Sequence, residues 1–172
     1  PVGTDLGHMC MFGYDLKDYP GRGPIEAFGE NVELLAGDVA FRSNFGTVDE
    51  DINVIDRRAG RIREKTKELA AALSGMQIED VTVLFKEATE HRAVLVLRGP
   101  GLSDAITDTD PKVEKVAVKK PKEKDDSEAA KKTARILLEF QRRSHEILSN
   151  HPVNIKRVEE GLLPANYILT RG

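Results

Sequence analysis

The stretch "DVTVLFKEATEHRAVLVLRG" (80–99) constrains the fold more than any other part of the chain. Two β-branched runs, 81–88 and 92–98, flank a turn at Thr89, Glu90 and His91. β-Branched residues suit a pleated surface, and polar residues between two such runs predict a β-hairpin over 81–98. Val94–Leu97 has no polar interruption, which predicts a central strand covered on both faces. A sheet is therefore required, and the rest of the chain must supply its other strands and its cover.

Candidates for both are present. "GDVAFRSNFGTVD" (37–49) alternates as a strand does, with Val39, Phe41 and Phe45 facing one way and Arg42 the other. "VID" (54–56) suits a short partner strand, and "LLPANYILTRG" holds a last strand at 166–170. "PGRGPIEAFGENVEL" (20–34) reads as a turn and a short helix, with Pro24 at its first helical position. In "GRIREKTKELAAALSGM", Ile62, Thr66, Leu69, Leu73 and Met76 step by four and three residues, which predicts an amphipathic helix ending at Gly75. A long helix is expected over 126–149, capped by Asp125 with Glu128 in capping-box position and ended by Asn150 and Pro152. Its apolar face is Thr133, Ile136, Leu137, Phe140, Ser144, Ile147 and Leu148. Strands and helices do not alternate regularly. The expected fold class is α+β: a small mixed or antiparallel sheet with helices packed on one face.

Composition narrows the function. A net charge of -3 gives no general pull toward nucleic acid or an anionic membrane. No apolar run reaches the roughly 18 residues of a membrane span. The single cysteine, Cys10, excludes an internal disulfide framework. "EKVAVKKPKEKDD" (114–126) is dense in lysine and poor in large apolar residues, so a mobile charged linker or flap is expected there.

Chemistry-bearing residues fall in three places. "GTDLGH" sets Thr4, Asp5 and His8 between glycines. It reads either as a helix cap or as a nucleophile loop whose amides approach a phosphate. Arg57, Arg58, Arg61 and Arg63 lie within seven residues, behind Arg42 on the preceding strand. Arginine's planar fork suits carboxylate or phosphate, and a helix opening near Gly60 would add its own attraction for anions. The other reading is a solvated helix start with ion pairs to Asp56 and Glu64. Asp104, Asp108 and Asp110 form an acidic loop, read either as a surface turn or as oxygen ligands for a divalent cation. His91, His145 and His151 occupy ordinary turn and helix positions.

Read together, "GTDLGHMCMFGYD", "YPGRGPIEAFG", "GDVAFRSNF", "IDRRAGRI" and the tail "HPVN…GLLPANYILTRG" resemble the cofactor-independent phosphoglycerate mutases of archaeal type. That family belongs to the alkaline-phosphatase superfamily. The resemblance implies a cytoplasmic glycolytic isomerase that interconverts 3-phosphoglycerate and 2-phosphoglycerate through a phosphoenzyme, using two divalent metal ions, Mn or Mg. It places the nucleophile and a metal-bound oxygen at Thr4, where the family has Ser. It assigns His8, Arg42, Asp56, Arg57, Arg58, Arg61, Asp108 and Asp110 to substrate, with Asp56 orienting the arginines. It divides the chain into a nucleophile loop (1–20) of the parent phosphatase domain, an inserted α+β domain (21–165), and a strand (166–172) returning to the parent. Most metal ligands would lie outside this chain, which alone would be inactive. The partners implied are the phosphoglycerate and the rest of the parent phosphatase domain, with no nucleic acid and no membrane. The alternatives are a non-catalytic anion-binding module, or another metal-dependent phosphatase or phosphotransferase of the same superfamily.

Overall fold

The computed structural model describes residues 20–172. The elements in chain order are α1 (Arg22–Gly29), β1 (Val39–Val48), β2 (Val54–Asp56), α2 (Thr66–Leu73), β3 (Gln77–Ile78), β4 (Val81–Glu87), β5 (Arg92–Arg98), α3 (Glu128–Ser149), α4 (Pro152–Glu159) and β6 (Tyr167–Arg171). The expected α+β class is what the structure shows: six strands in one sheet, with every strand pairing antiparallel.

The hairpin β4–β5 stands where its sequence places it, with Val83 opposite Leu97 and Phe85 opposite Leu95. β5 lies between β4 and β1, and Val94–Leu97 are all buried. The longest strand, β1, pairs with β5 through Val39–Asn44, with β6 through Arg42–Gly46 and with β2 at Thr47 and Val48. Its alternation divides the molecule in two. Val39, Phe41 and Phe45 enter the main core with Leu95, Leu97, Val83 and Phe85, under α2 and α3. Phe45 meets Phe85 edge-on with ring centres 5.7 Å apart, and Phe85 lies 5.9 Å from Phe140 of α3. Ala40 faces the other way, into a smaller cluster with Val94, Val96 and Ala27 of α1. Two of the helices thus share the expected face, while α1 covers one end of the opposite face.

Several expectations need correction. The helix predicted over 60–76 begins only at Thr66, because Ala59, Gly60, Arg61 and Lys65 all have positive φ and turn the chain before it. Ile62 still reaches the core from that turn, and Met76 packs beside it from beyond the helix. On α3 the cap is Ser127, whose Oγ accepts from the Ala130 N–H at 3.1 Å, while Asp125 braces Ser127. Ile147 is exposed and Gln141 takes a buried place on that helix. The lysine-rich segment 114–126 is docked, not loose. Its backbone bonds to Ile52 and Val54 on one side and to Ala105, Thr107 and Thr109 on the other. Backbone pairing of this kind needs no apolar side chains, so composition does not reveal it. The segment 166–172, expected to return to the parent domain, contains β6, which pairs antiparallel with β1.

Candidate functional site

The same register that builds the sheet assembles a cationic cleft. Residues directly opposite in an antiparallel pair project to the same face. On β1, Arg42 and Asn44 share the face of Ala40. Asn44 is opposite Arg92 of β5, and Arg42 is opposite Arg171 of β6. α1 covers this face over Ala40, Val94 and Val96 and leaves the end at Arg42 and Asn44 open. The turn after β2 then delivers Arg57, Arg58, Arg61 and Arg63. The result is a cleft of about 310 Å3 lined by seven arginines, Arg42, Arg57, Arg58, Arg61, Arg63, Arg92 and Arg171, with Asn44, Glu90 and His91.

The arginines differ in what they already hold. Arg57 donates from Nε and Nη2 to the two carboxylate oxygens of Asp110, at 2.8 and 2.7 Å. Arg171 donates to Oδ2 of the same carboxylate from Nε at 2.8 Å and from Nη2. Asp110 is completely buried. Burial alone would push its carboxyl up, but bonds from Arg57, the Lys112 N–H and Arg171 prevail and hold it down at about 2. Arg42 lies 3.5 Å from Glu26 of α1, and Arg63 lies 3.1 Å from Glu90. Burial depresses the Arg42 pKa; Glu26 opposes this, and Arg92, Arg171 and Arg22 add to it. Arg58, Arg61 and Arg92 have no hydrogen-bond or ion-pair partner for their guanidinium groups among the described residues.

His91 lies at the hairpin turn, as expected, and also lines the cleft. It is 9% exposed, and its Nδ1 is buried without a hydrogen-bond partner. Burial first, then Arg58 and Arg92, hold its pKa below the ordinary value. The ring therefore stays neutral among the cations at neutral pH.

The expected site residues separate accordingly. Arg42, Arg57, Arg58 and Arg61 come together in one cleft. Asp56 accepts from the Arg58 backbone N–H at 2.6 Å and so shapes the turn that carries the arginines. Asp110 holds one of these guanidinium groups, that of Arg57, together with that of Arg171. Asp108 pairs with Lys112 at 3.3 Å and lines a neighbouring groove with Asp110, Lys119, Lys120, Lys122 and Lys124. Thr4 and His8 lie outside the described residues, as does the loop that carries them. Among the described residues, no group of three His, Cys, Asp or Glu side chains could hold a metal ion. Asp110, the most buried candidate, is already engaged by two arginines. The described residues thus do not fit a metal centre. Nor is any helix among them long and apolar enough to cross a membrane.

Arg92, Arg171 and His91 were not foreseen as site residues. The hint lay in the alternation: once 37–49 and 92–98 are strands of one sheet, Arg42 and Arg92 are of the parity that faces away from Phe41 and Leu95.

Fold and cleft together define a class: an α+β domain with a cleft of clustered guanidinium groups, a chemistry that suits a small anion. Comparison with known proteins makes this specific. The family model for 2,3-bisphosphoglycerate-independent phosphoglycerate mutase matches residues 1–154. The protein of that name from Methanosphaera stadtmanae is 54% identical over 172 residues, covering 99% of this chain and 42% of its own length. Its counterpart from Methanothermobacter thermautotrophicus is 51% identical over 175 residues, covering 99% of this chain and 43% of its own. A solved cofactor-independent phosphoglycerate mutase from Thermoplasma acidophilum superposes with a TM-score of 0.84 at 41% identity, over 99% of this chain and 46% of that one. The chain belongs to the 2,3-bisphosphoglycerate-independent phosphoglycerate mutase family. It spans less than half the length of these relatives.

Proposed function

We propose that this chain is the substrate-gripping part of a phosphoglycerate mutase that interconverts 3-phosphoglycerate and 2-phosphoglycerate. The arginine cleft is the observation that carries this reading. A phosphoglycerate presents a phosphate and a carboxylate on a three-carbon frame, and arginine forks suit both. A cleft of about 310 Å3 is the right scale for so small a ligand. Arg58 and Arg61 bind it from the turn after β2, Arg57 from the Asp110 fork, and Arg42 from β1.

Held this way, the glycerate stays oriented while its phosphoryl group is elsewhere, which replaces a bimolecular return by a positioned one. His91, neutral and lacking a partner for Nδ1, adds a group that can accept from a hydroxyl, where arginines can only donate. Family membership implies a phosphoenzyme with Thr4 as nucleophile, His8 near the substrate and two divalent ions. Ligands for those ions would come largely from the remainder of the parent protein.

The test is a supply of 3-phosphoglycerate to the full-length protein with Mn or Mg, followed by phosphorus NMR. Appearance of 2-phosphoglycerate, lost on Thr4→Ala and reduced on Arg58→Ala, supports the proposal. Release of inorganic phosphate without isomerisation would point instead to a phosphatase of the superfamily. Binding without turnover would point to an anion-binding module.

A further inference from the structure

We infer that Arg92 and Arg171 complete the anion grip, Arg92 as a third guanidinium without a partner among the described residues and Arg171 as half of a rigid fork set by Asp110. The inference rests on the mutase reading only for the identity of the anion. Charge accounting supplies the first part. Of the seven arginines in the cleft, Arg57 and Arg171 share Asp110, Arg42 leans on Glu26 and Arg63 on Glu90. Arg58, Arg61 and Arg92 remain. A phosphomonoester with a carboxylate carries about three negative charges at neutral pH. Seven guanidinium groups stand against three carboxylates, Asp110, Glu26 and Glu90, so the cleft keeps an excess of positive charge for such an anion, and Arg92 is one of the three guanidinium groups with no partner among the described residues.

The sheet supplies the second part. Like charges placed opposite each other on neighbouring strands destabilise a sheet. Here Arg42 of β1 stands opposite Arg171 of β6, and Arg92 of β5 stands opposite Asn44, one pleat along on the same face. Arg92 makes no compensating bond within the described residues, so the fold gains nothing from its charge. An anion in the cleft relieves that repulsion. Arg171 differs, since two of its nitrogens are fixed on the buried carboxylate that also fixes Arg57. The two forks are thus held at a set spacing before a ligand arrives.

Asp110 is a positioning residue in this account. It is completely buried and acts through Arg57 and Arg171. The loop that carries it is itself anchored to β6: the Thr109 N–H donates to the Thr170 carbonyl at 3.0 Å, and the two threonine hydroxyls lie 2.9 Å apart. Gln141 of α3 donates to the Thr109 hydroxyl at 2.9 Å. The fork is therefore tied through a buried polar chain to the long helix.

The experiment uses the full-length protein and its Arg92→Gln, Arg171→Lys and Asp110→Asn variants. Thermal midpoints are measured in phosphate-free buffer, then with rising 3-phosphoglycerate and, separately, pyrophosphate. KM and kcat are measured alongside. Arg92→Gln should unfold at the same temperature as the parent or higher when no anion is present. It should bind both anions more weakly, by on the order of tenfold to a hundredfold. A residue with a merely structural role would not separate stability from affinity in this direction. Arg171→Lys keeps the charge and loses the fork, so its KM should rise more than its kcat falls. Asp110→Asn should lower the midpoint and raise KM in the same way. Unchanged anion affinity in Arg92→Gln, or a lower midpoint with affinity intact, overturns the inference. If the parent ignores phosphoglycerate but the pattern holds with pyrophosphate, the mutase reading fails and this one stands.

Discussion

At the scale of the residue, Asp110 is a buried carboxylate held by two arginines. Its carboxyl titrates at about 2 in the folded protein against an ordinary 3.8. The folded state therefore binds this proton less readily than the unfolded chain. The associated stability is fully present above the unfolded value and is lost as pH falls from there toward the folded one. A depression of this size corresponds to about 2 kcal/mol. Unfolding free energies measured across that acid range should fall, and Asp110→Asn should flatten the slope. His91 has the same sign for a different reason. Burial, Arg58, Arg92 and Arg42 disfavour its charge, with only Glu90 opposing. Its imidazole should titrate below the ordinary 6.5 by NMR and move upward when phosphoglycerate fills the cleft. A midpoint unmoved by the anion would show that the two do not share a site. Arg57, Arg58 and Arg61 were legible in the sequence because they are close neighbours in one segment. Arg92 and Arg171 were not legible as parts of that site, because their place in it depends on strand register, and Asp110 entered it only through the family resemblance.

Among the elements, the hairpin was the most readable, since β-branched runs and a polar turn act locally. The segment 59–65 was misread because its helical spacing continued backward from α2, whereas its backbone turns through the left-handed region. That correction matters for the site: the arginines sit on a tight turn, and no helix end supplies amides to the anion beside them. The segment 114–126 escaped because its order comes from main-chain bonds. α1 offers a direct test of how the open face is bounded. A Cβ on Gly23 would lie 1.8 Å from the Ala40 carbonyl oxygen, which is backbone and cannot yield. Gly23→Ala should lift α1 from β1, destabilise the fold by about 1–3 kcal/mol in denaturant unfolding and free Glu26 from Arg42. At α3, Ser127→Ala should cost about 1 kcal/mol by the same measurement, because the Ala130 N–H loses its acceptor.

For the molecule as a whole, one sheet performs two tasks. Its inner face, with α2 and α3, buries the main core and makes the scaffold rigid. Its outer face is partly covered by α1, and the uncovered end gathers the seven arginines of the cleft. The α+β class and this division follow from alternation along β1 and β5, which the sequence displays. Where the final strand lies does not follow, because nothing in an apolar run such as Tyr167–Leu169 names its neighbour. The central claim is that phosphoglycerate occupies the cleft on this outer face. The most direct measurement is a titration of the full-length protein with 3-phosphoglycerate, following arginine Nε and lysine Nζ resonances by NMR. The account predicts saturable shifts at Arg58, Arg61, Arg92 and Arg171, with Arg135 and Arg142 on the exposed side of α3 unmoved. Shifts confined to the lysine groove at 119–124, with the cleft arginines silent, would contradict it.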